Sequence, residues 1–221
     1  MQSIRAARER GYHAIAADSR EPYPMPMTIG YARAVAITIL TLAMQAANAW
    51  PAFANKGKLY LCSGYSCAYK TALPLTPAFR NKLAGIMASG GASAHAERKA
   101  VSRAVQYFER VATAMIGTKD GPKGEISGSR VYGQMDCIDE SSNTGALLDY
   151  LQRERLMRHH ESRPPASRGA FIDGRYPHST AVLSEKNGEL WAVDSWYEPA
   201  GGAPDMMPLA EWRKRGVGGA R

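Results

Sequence analysis

Long apolar runs, cysteine and acidic residues are all in short supply in this chain, and each shortage removes a class of protein. The apolar run Ala34–Met44 falls well short of the ~20 residues needed to cross a bilayer. Three cysteines in 221 residues cannot staple a disulfide-dense miniprotein. With 21 Gly, 13 Pro and 45% hydrophobic residues, the chain is neither collagen-like nor wholly disordered. Internal repeats, low-complexity tracts, a glycine-rich phosphate cradle and a dinucleotide fingerprint are all missing. Acids are outnumbered, 20 against 28 Lys+Arg, for a formal charge of +8 and a pI of about 9.5. That surplus alone does not make a nucleic-acid interface. Arg153, Arg155, Arg158, Arg163, Arg168 and Arg175 are interspersed with Glu154, Glu161 and Asp173, and no aromatic interleaving accompanies them. They read as a solvated face.

What is present begins with an address. Residues 1–26 carry no sustained period and end in a Pro-rich patch, as a disordered lead or a start codon placed too early would. From Met27 the chain reads as a signal peptide spanning 27–54, with Arg33 in a short basic region, Ala34–Met44 as the apolar region, and two A-x-A sites, Ala47-Asn48-Ala49 and Ala52-Phe53-Ala54. The mature chain would be exported, periplasmic or secreted, with no stable membrane anchor after cleavage. Residues 55–221 have the length of a single domain, expected as a monomer.

Thr76-Pro77 reads as an N-cap followed by proline at the first helical position, with Phe79, Leu83 and Ile86/Met87 at helical spacing behind it. A longer helix is expected over His95–Ile116, its apolar stripe formed by Val101, Val105, Phe108, Val111/Ala112 and Met115. Glu97, Arg98, Arg103, Glu109 and Arg110 fall mostly on the opposite, solvated face. Thr118–Gly133 reads as a loop, and a third helix runs from Cys137 to Gln152. Short β-like runs follow: Leu156–His160 and Arg168–Asp173 around a Pro164-Pro165 turn, then Ser179–Leu183 and Glu189–Val193 flanking Lys186-Asn187-Gly188, a hairpin signal. Leu209–Trp212 suggests a last helical turn. Helices first and an antiparallel sheet afterwards predict an α+β fold.

Export sets the cysteine arithmetic. Cys62 and Cys67, five apart around Gly64, suit a small disulfide-closed loop in an oxidising compartment; as a metal pair they lack a nearby histidine. Cys137 is then left over. It stands where a loop gives way to a helix, a place that stabilises thiolate, although Asp136, Asp139 and Glu140 oppose that charge. A nucleophilic thiol needs a lowered pKa, an imidazole to take its proton and a group to orient the imidazole. His178 and Asp194 can supply these if the hairpin allows. A three-residue loop with Gly188 as a left-handed bulge pairs Glu185 with Glu189 and places His178 and Asp194 diagonally on one face, about 7–8 Å apart at Cα. A two-residue Asn-Gly loop puts them on opposite faces. Taken singly, each residue has a plainer role, as core filler, strand polar residue or turn; together they favour catalysis.

The segment Gly133-Gln134-Met135-Asp136-Cys137-Ile138-Asp139, with Pro177-His178 and Val193-Asp194-Ser195-Trp196 downstream, resembles the transglutaminase-like branch of papain-type folds. Within it, the closest likeness is to the periplasmic transglutaminase-like cysteine proteinases of bacteria. The likeness covers roughly Gly133–Trp196. It implies a transglutaminase-like core, Cys137 as nucleophile, His178 as general base and acid, and Asp194 as orienter. An oxyanion hole at the Cys137 N–H, with Gln134 or a nearby loop N–H as second donor, is implied as well. Those proteinases commonly carry an acid just after the cysteine, where calcium can bind; here Ile138 stands there, leaving Asp136, Asp139 and Glu140 as a weak calcium set and no other cofactor expected. The function so implied is cleavage of a peptide, protein or cell-wall amide, as by a thiol protease, through a thioacyl intermediate. The competing reading keeps the fold as a non-catalytic envelope binding or structural module. His159-His160 would point to opposite faces of a strand and cannot ligate one metal together, and Trp191, Trp196 and Trp212 read as core or tail packing.

Overall fold

Alternation of apolar and polar residues in Lys58–Ser63 makes the first substantial strand, β2, which buries Leu59 and Leu61. It lies between β1 (Ala54–Asn55) and β3 (Tyr69–Pro74) in an antiparallel sheet. The computed structural model describes residues 54–55, 57–118, 128–169 and 177–215, all within one compact unit, Trp50–Arg221. The expected lead, nearly all of the expected signal peptide, and the middle of Thr118–Gly133 lie outside those ranges, as do the residues after 169 in the expected strand Arg168–Asp173.

Helix α1 (Pro77–Ala88) starts as the sequence predicts, with the Thr76 hydroxyl accepting the Phe79 N–H and proline in the first turn. Helix α2 (Ala94–Ile116) is capped by Ser93 and ends on Gly117, whose φ of 67° is the left-handed conformation that terminates helices. Helix α3 (Cys137–Arg153) is buried on nearly every side, as befits a helix enclosed by neighbours all round. It packs against β2 and against β4 (His160–Arg168) and β5 (His178–Glu185). Leu147, Leu148 and Leu151 on α3 join Leu59, Leu61, Leu83, Val101, Phe108 and Leu183 in the main core.

The second sheet runs β4-β5-β6-β7, all antiparallel, with β6 at Leu190–Asp194 and β7 at Asp205–Pro208. Helix α4 (Leu209–Lys214) folds back onto it. The sheet is covered on two sides. Ala181, Leu183 and Val193 belong to the α3 core, whereas Val182 and Ala192 pack with Leu209 and Trp212 of α4. The described chain is therefore α+β, and among the described residues no helix is long and apolar enough to cross a membrane.

Three expectations need correction. A strand hairpin, not a helix, opens the described chain. Leu156–His159 are not strand, and Pro164-Pro165 do not make a turn: β4 is a single strand running through both prolines. It tolerates them because it is the edge strand and breaks register between Arg163 and Ala166, where missing N–H groups leave no ladder bond unmade. The solvated faces also lose members. Glu97 is 1% exposed, its carboxylate accepting the N–H groups of Arg158, His159 and His160 and pairing with His160 Nδ1. Arg168 is buried against Trp212 and Tyr197.

Candidate active site

Cys137 owes its position to the way α3 begins. Asp136 is the N-cap, its Oδ1 accepting the N–H groups of Ile138 and Asp139, and Asp139 Oδ2 accepts the Asp136 N–H in return. Cys137 is thus the first helical residue, where backbone N–H groups lack intrahelical partners.

The turn between β2 and β3 grips this cap. Cys62 and Cys67 are joined in a disulfide, and Tyr65, Ser66 and Cys67 all have left-handed φ, 68°, 52° and 59°. Successive residues in such conformations turn their N–H groups inward as an anion cradle. Here Tyr65 and Cys67 donate to the two oxygens of Asp139 at 2.8 and 2.6 Å, and Ser66 donates to Asp136 Oδ2 at 3.0 Å. The Gly64 N–H donates to the Gln134 carbonyl, and Asn143 on α3 bonds both backbone groups of Cys62. Burial, with the Asp136 charge beside it, still pushes the Asp139 carboxyl up to about 6 against these donors.

The structure does not bring Asp136, Asp139 and Glu140 together as one ligand cluster. The oxygens of the two aspartates are engaged by backbone N–H groups, while Glu140 lines a separate cavity with Asn143, Thr144 and Ser195. Among the described residues the one His/Cys/Asp/Glu grouping with metal-like spacing is Cys62, Cys67 and Asp139, and its two sulfurs are bonded to each other.

The hairpin adopts the three-residue loop. Ala181 faces Val193 and Leu183 faces Trp191, Glu185 exchanges hydrogen bonds across the turn with Glu189 and Gly188, and Gly188 has a φ of 91°. His178 and Asp194 consequently share a face, and His178 Nε2 lies 2.8 Å from Asp194 Oδ2 with both side chains buried. An acceptor carboxylate at Nε2 fixes the proton there. That leaves Nδ1 as the basic nitrogen, and it is buried without a hydrogen-bond partner.

By strand alternation this pair sits on the α4 side of the sheet, while α3 covers the other side. Cys137 meets it past the first residues of β5. Its thiol takes the Ser179 backbone N–H, and Ser141 on the next turn of α3 bonds the Ser179 hydroxyl. Cys137 and His178 are therefore neighbours around the start of one strand without a hydrogen bond between them. The thiol does not have the lowered pKa expected of it. Burial foremost, and the charges of Asp136 and Asp194, push it up to about 11, with the Ser179 N–H only partly offsetting them. The helix terminus does not overcome that because its nearest charges are carboxylates.

The chain matches no family model, no curated protein and no solved structure. The resemblance to transglutaminase-like proteinases thus rests on the motif residues themselves.

Sequence reasoning missed a layer behind Asp194. The Trp212 indole N–H donates to Asp194 Oδ2 at 2.7 Å. Arg168, directly across the strands from His178, stacks 4.4 Å above the Trp212 ring and donates to the Trp212 carbonyl and, at 2.9 Å, to the Tyr197 hydroxyl. Trp196 lies 4.6 Å from the His178 ring, centroid to centroid, and Tyr197 5.6 Å. The available signal was that tryptophan and buried arginine are amphipathic and seek polar partners; nothing local in the sequence aimed Trp212 at Asp194.

Proposed function

We propose that this domain is an exported cysteine hydrolase of transglutaminase-like, papain-type fold that cleaves an amide bond through a thioacyl intermediate. The observation that carries the reading is the buried His178–Asp194 pair, with Nε2 held by the carboxylate and Nδ1 left without a partner beside the strand residue that bonds the Cys137 thiol. The Cys62–Cys67 disulfide supports export, since such bonds persist in oxidising compartments.

The resting site holds a neutral thiol, its pKa raised by burial. When an amide carbonyl is seated against Cys137, His178 Nδ1 takes the thiol proton as Sγ bonds to the carbonyl carbon. The oxyanion is held by the Cys137 N–H at the start of α3, with the half-buried Gln134 as second donor. The C–N bond breaks as His178 returns the proton to the departing amine. Water then adds to the thioester, giving its proton to Nδ1, and the proton returns to sulfur as the acid leaves. Asp194 keeps the ring in the Nε2–H tautomer and stabilises the imidazolium. Hydrogen bonds of this kind are often long in ligand-free sites and tighten with substrate.

A second reading, a non-catalytic envelope binding or structural module, is favoured by the burial of the Cys137 thiol, which with the charges of Asp136 and Asp194 raises its pKa. Turnover separates the two. The chain is assayed on unfolded protein and on cell-wall stem peptides, beside Cys137→Ser, His178→Ala and Asp194→Asn. The hydrolase reading expects amide cleavage that falls at least about 10²-fold in the first two variants. Cleavage that survives Cys137→Ser refutes the thiol mechanism, and no cleavage by the parent chain gives the site to the binding module.

A further inference from the structure

We propose that Trp212 is a positioning residue for the His178–Asp194 pair, its indole N–H fixing the carboxylate oxygen that orients the imidazole and tempering that oxygen's pull on the ring proton. The inference rests on the proposed hydrolase mechanism for its role in turnover, but the coupling itself is a property of the folded chain.

Two N–H donors converge on a single oxygen, Asp194 Oδ2: His178 Nε2 at 2.8 Å and Trp212 Nε1 at 2.7 Å. All three side chains are buried, and Trp212 is fully so. A buried carboxylate polarises its donors strongly, and each donor competes for the same charge. With the indole in place, part of the carboxylate's charge is spent on Nε1–H. Without it, the Trp196 backbone N–H remains on Oδ1 at 3.4 Å, but more of the charge is left to the imidazole and favours its protonated form. The apolar body of the indole packs with Val182, Ala192 and Leu209, and its one polar atom is the part that reaches Asp194.

Helix α4 is aimed rather than merely docked. Arg168 holds it by stacking on the Trp212 ring and donating to its carbonyl, and Arg168 is itself paired across β4 and β5 with His178. The charged and titratable groups around His178 are therefore Asp194 on β6, Arg168 on β4, Tyr197 in the turn after β6 and Cys137 on α3. Of these, Asp194 alone bonds the ring.

The experiment follows ring and indole resonances by NMR across pH in the isotope-labelled full chain and in Trp212→Phe, which keeps an aromatic ring and removes the donor. In the parent chain the Trp212 indole N–H resonance moves with the same midpoint as the His178 ring. In Trp212→Phe the His178 midpoint rises by about one pH unit, a tenfold gain in proton affinity, and the acidic limb of the turnover profile rises with it. A Trp212 indole resonance that stays flat through the His178 titration overturns the proposal, as does an unchanged midpoint in the variant. If Trp212→Phe does not fold, the parent indole titration decides alone. Failure of the hydrolase reading looks different: turnover indifferent to His178→Ala sinks that mechanism while the indole still tracks the imidazole.

Discussion

Removing the Cys62–Cys67 disulfide should cost more than the bond, because the loop it closes holds the start of the helix bearing Cys137. In a Cys62→Ala/Cys67→Ala double variant, the chain-entropy contribution of so short a loop amounts to about 2 kcal/mol. Freed of its closure, the Tyr65–Cys67 turn leaves the left-handed conformations it now holds, each of which is strained for non-glycine residues. Its three N–H groups then let go of Asp136 and Asp139. Hydrogen bonds to charged groups contribute about 1.5–3 kcal/mol each, partly recovered here by solvation and by relief of backbone strain. The net expectation is a loss of about 2–4 kcal/mol, or roughly 5–10 °C in Tm for a domain of this size.

The loss should also depend on pH. Asp139 titrates at about 6 in the folded chain, above its ordinary 3.8, so its contribution to stability falls as pH rises from near 4 through 6. The cradle's N–H groups restrain that rise in pKa, and without them the folded-state value climbs further. The double variant should therefore lose more stability at pH 7.5 than at pH 5. Urea unfolding of both chains at the two pH values measures this. A loss under about 1 kcal/mol, or one equal at both pH values, would refute the claim that the loop braces the helix start through Asp139.

Alkylation of Cys137 by iodoacetamide in the folded chain should stay slow at neutral pH and still be climbing at pH 10, as a thiol raised to about 11 requires; a plateau below pH 7.5 would contradict its buried setting. Glu97→Ala strips three backbone N–H groups, that of His160 buried and those of Arg158 and His159 partly buried, and the His160 ring of their acceptor and should destabilise by about 3 kcal/mol or more, seen in urea unfolding. Burial opposes the charge on Glu97, yet the His160 ring and the N–H groups of Arg158 and His159 hold its pKa below the usual value. Its contribution is thus present above about pH 4.5 and lost as pH falls below that, so the parent's acid limb should flatten in the variant. Gly188→Ala, at a φ of 91° with nothing within 4 Å of the added methyl, should lose about 1 kcal/mol through backbone strain alone; an unchanged unfolding midpoint would contradict the bulged turn.

Legibility in the sequence followed the range of the forces involved. Thr76-Pro77 and the Asp136 cap are local chemistry, and the helices begin where those residues put them. The hairpin was ambiguous in sequence because Asn-Gly and Lys-Asn-Gly loops suit the same residues; the buried inner face of Ala181, Leu183 and Val193 favours the register observed. Lys58–Ser63 carries only a weak strand signal in sequence, because Leu61-Cys62 breaks its alternation of apolar and polar residues after four positions. Glu97 looked solvated for a different reason. Helical periodicity places charges on a face but does not reveal that the backbone of residues 158–160 would arrive there in need of an acceptor. Trp212 and Arg168 belong to the same class, since their partners are distant in sequence and their contacts are fixed only by tertiary packing. The expected thiolate is opposed by electrostatics: Cys137 does open the helix, but burial and two carboxylates outweigh the helix terminus there.

The most direct test is to look for the covalent intermediate. Chain and amide substrate are mixed, quenched in acid at short times, and the intact mass and the peptide containing Cys137 are measured. The account predicts a transient acyl adduct on Cys137 that is missing in Cys137→Ser and slowed at least about 10²-fold in His178→Ala. Amide cleavage with no adduct on Cys137, or an adduct that forms equally fast without His178, would contradict it.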